Sequence, residues 1–131
     1  MKSKGFTFIE MLVVVTIIGV LASIGVANFK VANQKARDGR RQGDLQQIRA
    51  ALELYRTDVN IYPTTGNLSL LEPDYIGTIP TDPTTGYLYP YTSVAGTTYT
   101  LCSALELSTA TVTDCGSCGT ATCRYKITNP L

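Results

Sequence analysis

The residues from Phe6 to Phe29 limit the fold of this chain more than any other feature, because they are almost entirely apolar and contain one charge, Glu10. As a helix this segment would be about 36 Å long, at a rise of ~1.5 Å per residue. That length is sufficient to cross a hydrocarbon core of about 30 Å. A single segment in lipid must satisfy its own backbone hydrogen bonds, so residues 6–29 are predicted to form a membrane-spanning helix.

The apolar pattern becomes one-sided after this segment. Apolar residues recur at intervals of three and four, the spacing of one helix face, at Leu45, Ile48, Leu52, Tyr55 and Val59. Gly39 and Gly43 each weaken a helix by about 1 kcal/mol relative to alanine, which allows a bend near them, whereas Pro63 ends the helix. The helix is therefore predicted to continue as an amphipathic segment over residues 30–60.

Residues 61–131 are predicted to form a globular head. Alternating patterns predict three antiparallel strands, "YLYPY" at 87–91, "TTYTLCSALE" at 97–106 and "CRYKITN" at 123–129, after one helical turn at residues 68–71. Three short strands are stable in water only when a further element covers one face. The predicted fold class is α+β, a long N-terminal helix packed against a small antiparallel sheet of about three strands.

Charge is unevenly distributed, and histidine and tryptophan are absent. Residues 30–56 hold seven basic and three acidic residues, net +4, whereas residues 57–131 hold two basic and six acidic residues, net −4. A possible basic contact face comprises Lys35, Arg37, Arg40 and Arg41. It could meet acidic heads of neighbouring subunits, lipid headgroups or DNA, with DNA not favoured, or it could simply be solvated. No catalytic residues, metal or cofactor are expected, so the chain is not predicted to be an enzyme.

Four cysteines lie within the last thirty residues, at Cys102, Cys115, Cys118 and Cys123. Zinc ligation and redox catalysis are two interpretations, but structural disulfides are favoured, because a thin core gains roughly 2–4 kcal/mol from each bridge. All three connectivities stay open. Strand alternation places Cys102 and Cys123 on unlike faces, which disfavours a direct bond between them.

The N-terminus, "MKSKGFTFIEMLVVVTIIGVLA", resembles the prepilins of the type IV pilin superfamily. The resemblance implies that residues 1–5 are a leader, that prepilin peptidase cuts between Gly5 and Phe6, and that Phe6 is then N-methylated. An ordinary secretion signal cut before Asn28 is the competing interpretation. The resemblance also requires the head outside the inner membrane, which clustered cysteines support. The basic residues after the span predict the opposite orientation.

Glu10 lies one helical turn after the amino group that this cleavage would create on Phe6. The resemblance implies that Glu10 and Phe6 act in subunit assembly, with the carboxylate meeting the free N-terminus of a neighbouring subunit. The duller alternative is a carboxylate near the membrane interface, stabilised by the helix dipole and extended towards water.

The head sequence "YPTTGN" and the turn "PTDP" also resemble the major secretion pseudopilins. Those proteins can hold calcium through an acidic loop near the C-terminus. Here that region offers only Asp114, too few oxygen ligands, so no calcium is predicted.

The resemblance therefore implies a structural subunit, processed at the inner face of the membrane, that polymerises through its N-terminal helix into a type IV pilus-like or type II secretion-like filament. Its expected partners are copies of itself, other pilin-like subunits, prepilin peptidase, a membrane platform protein, an assembly ATPase and, before assembly, membrane lipid. The expected location is the inner membrane, single-pass, and then a periplasmic or cell-surface filament. A DNA-uptake pilin and a small secreted disulfide-stabilised domain are the alternatives.

Overall fold

The structure, a computed structural model, describes residues 5–129, with the backbone alone for residues 26 and 27. One helix, α1 (Phe8–Val59), runs for 52 residues and joins the apolar run to the amphipathic stripe, as predicted. Chain contacts divide the protein into two compact units, residues 1–34 and residues 35–131. Apart from Gly5, the leader predicted at residues 1–5 lies outside the described residues.

The first unit contains the apolar part of α1, and its large apolar side chains are exposed, each by about half or more. The most apolar 18-residue window has a mean hydropathy of 2.5, and none of it is buried. By length and composition α1 can therefore cross a membrane. N-terminal secretion signals meet the same two criteria, so hydropathy does not distinguish an anchor from a signal.

The second unit contains a three-stranded antiparallel sheet in the order β1-β2-β3. The strands are β1 (Tyr91–Val94), β2 (Thr98–Ser103) and β3 (Tyr125–Thr128). A short 3-10 helix, Leu68–Leu71, precedes them, as predicted. Together with α1 these elements confirm the α+β prediction.

The sheet and the C-terminal half of α1 share one hydrophobic core. The stripe residues Leu45, Ile48 and Leu52 are completely buried there. The sheet contributes a row of paired residues across its three strands, Tyr91, Leu101 and Ile127. Each strand thus presents alternate side chains to the helix, and helix and sheet complete a core that neither could form alone.

The predicted stripe ends too late, because Val59 is 43% exposed. The chain leaves the helix at Asn60, whose φ of 65° is the left-handed conformation that asparagine tolerates at a helix C-terminus. Tyr62 then takes a completely buried position, and its N–H donates to the carbonyl of Gly96 at 2.9 Å.

The first predicted strand, residues 87–91, is also wrong in its extent, because β1 begins only at Tyr91. Pro90 has no N–H for a ladder. Tyr87 instead pairs with Gly119, and the N–H of Leu88 donates to the carbonyl of Cys118 at 3.1 Å. The start of this segment is therefore held by the cysteine-rich loop, and the sheet holds only its end, where the N–H of Cys102 donates to the carbonyl of Pro90 at 3.1 Å.

Candidate functional site

The N-terminus of α1 is closed by a reciprocal pair of hydrogen bonds between Thr7 and Glu10. The N–H and the hydroxyl of Thr7 both donate to Oε2 of Glu10, at 2.8 and 2.7 Å. The N–H of Glu10 donates in return to the Thr7 hydroxyl at 3.3 Å. Since α1 begins at Phe8, Thr7 is the N-cap residue and Glu10 the third helical residue, which together define a capping box.

The capping box is a local role for Glu10 that the sequence interpretation missed. Its signal was present, because "TFIE" has a threonine followed three residues later by a glutamate, ahead of an apolar run. Only Oε2 of the carboxylate is engaged. Among the described residues, Oε1 has no hydrogen-bond partner, so one oxygen remains for a further donor.

The surroundings of Glu10 are apolar and uncovered. Phe6 and Phe8 are 81% and 82% exposed. A shallow hollow of about 360 Å³ is lined by Glu10 together with Phe6, Ile9, Val13 and Val14. In hydrocarbon a carboxylate costs several kcal/mol unless it is paired, and two local hydrogen bonds leave its charge uncompensated. Within the described residues, Oε1 of Glu10 is therefore open to a further donor.

The four cysteines form two disulfides, Cys102–Cys115 and Cys118–Cys123. The direct Cys102–Cys123 bond, which strand alternation disfavoured, is not made. All four sulfurs belong to a second buried cluster. The bridges close consecutive loops, and the second loop packs against the backbone of Gly86: a Cβ added at Gly119, whose φ is +80°, would lie 2.0 Å from the Gly86 carbonyl oxygen.

The basic contact face needs correction, because Arg41 is completely buried. Its guanidinium makes two bonds to the carboxylate of Asp82, at 2.8 and 3.0 Å. It also reaches Oδ1 of Asp38 at 2.8 Å and Oε1 of Glu106 at 2.9 Å. A guanidinium that is desolvated and surrounded by carboxylates is not free for DNA or for another subunit.

Arg37 and two backbone N–H groups extend this cluster. Arg37 forms a two-pronged pair with Glu106, at 2.7 and 2.6 Å. The Arg37 bonds, aided by Arg41 and opposed by burial, lower the pKa of Glu106 to about 2. Asp38 accepts the N–H groups of Glu106 and Leu107, at 2.8 and 2.9 Å. The cluster therefore attaches α1 to two loops of the head.

The structure leaves Lys35 and Arg40 of the predicted face exposed. Within residues 5–129, no group of three or more His, Cys, Asp or Glu residues is arranged to hold a metal ion. Asp114, the one acid of the C-terminal region, accepts the Nζ group of Lys126 at 2.7 Å.

Comparison with known proteins shows which class of protein this chain is similar to. The model of the prokaryotic N-terminal methylation motif matches residues 1–26. That motif, together with the relatives below, supports a similarity to the type IV pilin superfamily and, within it, to the secretion pseudopilins.

Within that class, the chain is similar to type II secretion system core protein G of Escherichia coli, with 42% identity over 73 residues, which are 54% of this chain and 50% of the relative. The protein of the same name from Vibrio cholerae is 41% identical over 64 residues, 49% of this chain and 44% of the relative. That from Pectobacterium carotovorum is 39% identical over 64 residues, 49% of this chain and 41% of the relative. The chain thus spans about half, or less, of these curated relatives. No solved structure matches.

Proposed function

We propose that this protein is a pseudopilin-like structural subunit, which is cut between Gly5 and Phe6, methylated on Phe6 and polymerised through its N-terminal helix. The observation that carries the proposal is the methylation motif over residues 1–26, coinciding with an apolar helix whose side chains are exposed throughout. The similarity to core protein G favours a secretion pseudopilus over a pilus, because the relatives carry that name.

Before assembly, the exposed apolar side chains of the first unit are covered by lipid. About 25 cal/mol is gained for each Å² of apolar surface removed from water, so this segment has to be covered either by lipid or by neighbouring helices. Moving from lipid to a filament therefore exchanges one apolar environment for another. Hydrophobicity alone therefore contributes little free energy to helix association in lipid, and it does not fix the axial position of one subunit relative to the next.

Glu10 supplies the register. Cleavage before Phe6 creates a cationic amino group, and methylation leaves it protonated at neutral pH. The capping box holds Glu10 through Oε2, so that Oε1 can accept the Phe6 amine of a neighbouring copy. A charge pair surrounded by hydrocarbon is strong and short in range, and it therefore selects one axial step between subunits.

Mass spectrometry of the assembled protein tests this proposal. The expected N-terminus is N-methylated Phe6. A mature N-terminus at Asn28 would instead identify a secreted domain with an ordinary signal, and an uncleaved Met1 in filaments would exclude the proposed processing. As a matched pair, Gly5→Leu should block cleavage, because the peptidase must reach a small residue, whereas Gly19→Leu, inside α1 and away from the cut, should be cut normally.

The partners follow from the same proposal. Processing requires prepilin peptidase, and assembly requires a platform protein and an ATPase in the inner membrane. The head then lies outside that membrane, where its two disulfides are stable. Deleting the gene should stop export of folded proteins if the filament is a secretion pseudopilus, while leaving surface motility unchanged.

A further inference from the structure

The buried cluster changes which charges of the head remain for a partner. Arg37 and Arg41 are bonded to acids of the same chain. Two of the six acids in residues 57–131, Asp82 and Glu106, are used in this way. The overall division into +4 and −4 is thus partly neutralised inside each copy.

Two exposed cations remain on the first turns of α1 in the second unit. Lys35 has no hydrogen bond or ion pair within the described residues. The side chain of Arg40 is 61% exposed, and its nearest carboxylate oxygen, on Asp44, lies at 3.9 Å. That carboxylate is already committed, because it accepts the hydroxyl of Tyr89 at 2.8 Å.

Two exposed carboxylates remain on the loop after the 3-10 helix, Glu72 and Asp74. Neither has a cationic partner within the described residues; Glu72 accepts only the N–H of Ile79. Of the other exposed acids in residues 57–131, Asp58, at the end of α1, accepts the hydroxyl of Tyr75, and Asp114 is paired with Lys126.

We propose that Lys35 and Arg40 of one copy contact Glu72 and Asp74 of the next copy in the filament. The two sets match in number and are opposite in sign. Two different patches can pair either reciprocally in a closed dimer or head-to-tail, and only the heterologous, head-to-tail arrangement propagates into an open helical filament, so the proposed contact is head-to-tail. This inference rests on the proposed function and adds the surface through which neighbouring heads recognise each other.

Exposed charges contribute mainly to register and to the exclusion of wrong arrangements, and their effect is screened by salt. The contact is therefore expected to guide assembly and not to hold the filament together by itself. Filament yield should fall as ionic strength rises, and the fall should be smaller in variants that lack the four charges.

Carbodiimide cross-linking tests the contact directly, since this reagent joins an amine to a carboxylate that touches it. Filaments are prepared from cells that express both 15N-labelled and unlabelled full-length protein. The expected product is a peptide pair joining Lys35 to Glu72 or Asp74, with one labelled and one unlabelled partner. Pairs found only with equal labels would place the contact within one copy and overturn the proposal.

Charge reversal gives the second test. Lys35→Glu with Arg40→Glu should lower filament yield roughly tenfold, and Glu72→Lys with Asp74→Lys should do the same. All four changes together should restore the yield to within about twofold, which a misfolded head could not do. The control is Asp114→Lys, the same change of charge per residue at an exposed acid outside the proposed contact, whose ion pair within the described residues is with Lys126 of its own chain.

The outcomes separate this inference from the function on which it rests. If the parent forms no filaments, the proposed function fails, and the contact fails with it. If the parent polymerises and the reversed variants polymerise equally well, these charges are merely solvated, and only the contact is overturned. The contact is also overturned if the basic residues are needed and the acidic ones are not, because the cations would then bind anionic lipid.

Discussion

Two carboxylates, Glu106 in the second unit and Glu10 in the first, have opposite surroundings. Glu106, in the head, has two arginine partners in its own chain. Glu10, at the start of α1, has only the hydrogen bonds of Thr7. The head pairs its Glu106 carboxylate internally, whereas the N-terminal segment keeps one oxygen of the Glu10 carboxylate without a partner among the described residues.

Apolar side chains follow the same contrast. In the second unit they form a closed core, in which Leu45, Tyr62 and Leu101 are completely buried. In the first unit they are exposed along the whole described segment. The head thus has a core of its own, whereas the described apolar side chains of the N-terminal segment are left uncovered by this chain, as the proposed function requires.

The largest expected effect comes from neutralising the carboxylate that lacks a cation. Glu10→Gln retains the shape of the side chain but removes its charge, so the amine of the neighbouring subunit would lie unpaired in hydrocarbon. We expect filament yield to fall by roughly tenfold or more, with normal removal of the leader. The measurement is the amount of processed protein in sheared filaments.

The matched control for this variant is Thr16→Val. The Thr16 hydroxyl donates only to the carbonyl of Val13 in its own helix, at 2.8 Å, so its loss should leave assembly unchanged. Normal filaments from the Glu10→Gln protein would show that the Glu10 charge needs no partner, and this result would contradict the proposed assembly mechanism.

A large loss of stability is expected in the head when its buried charge cluster is broken. Arg41→Met leaves three carboxylates without their shared cation, and such changes typically cost about 3–5 kcal/mol. The free energy of unfolding can be measured by denaturant titration of the detergent-solubilised protein, followed by tyrosine signals. All eight tyrosines lie between residues 55 and 125, so they report on the second unit, residues 35–131.

Arg40→Met is the neighbouring control. Its side chain is 61% exposed and its ion pair is long, so a change within about 0.5 kcal/mol is expected. Equal effects at both positions would mean that the cluster does not fasten α1 to the head.

The two disulfides should differ in their contribution to stability. By the loop-closure estimate, Cys102–Cys115, with a separation of 13 residues, contributes about 3 kcal/mol, and Cys118–Cys123, with a separation of 5, about 2 kcal/mol. Replacing each pair with serine and comparing unfolding free energies checks this order. The reverse order would show that packing of the second loop against Gly86 matters more than loop closure.

Most of the fold could be predicted from the sequence, because the apolar run and the spacing of Leu45, Ile48 and Leu52 are local patterns. The stripe failed at Val59 and the strand at Tyr87, where a left-handed Asn60 and the cysteine-rich loop decided the local structure. Both depend on contacts distant in sequence. Arg41 was missed for the same reason: a buried arginine looks like a surface one until Asp82 and Glu106 are brought to it.

A smaller, pH-dependent effect is expected from Glu106. Its pKa is lowered from 4.5 to about 2, chiefly by the bonds from Arg37, so its contribution to stability is complete above pH 4.5. That contribution is lost progressively as the pH falls through this range to about 2. Unfolding free energies measured between these limits should decline less steeply in Glu106→Gln than in the parent, and parallel curves would contradict the ion pair.

The smallest effect is expected at Thr7, because this residue acts on Glu10 only through the capping box. Thr7→Ala removes the hydroxyl that bonds Glu10 but leaves the N–H and the carboxylate, at a cost of about 1 kcal/mol in helix stability. Glu10 should then be oriented less well for a neighbouring amine, and filament yield should fall about fivefold. Thr7→Ser, which keeps the hydroxyl, should behave like the parent. If Thr7→Ala assembles as well as Thr7→Ser, the capping box only begins the helix, and Glu10 finds its partner without being held in place.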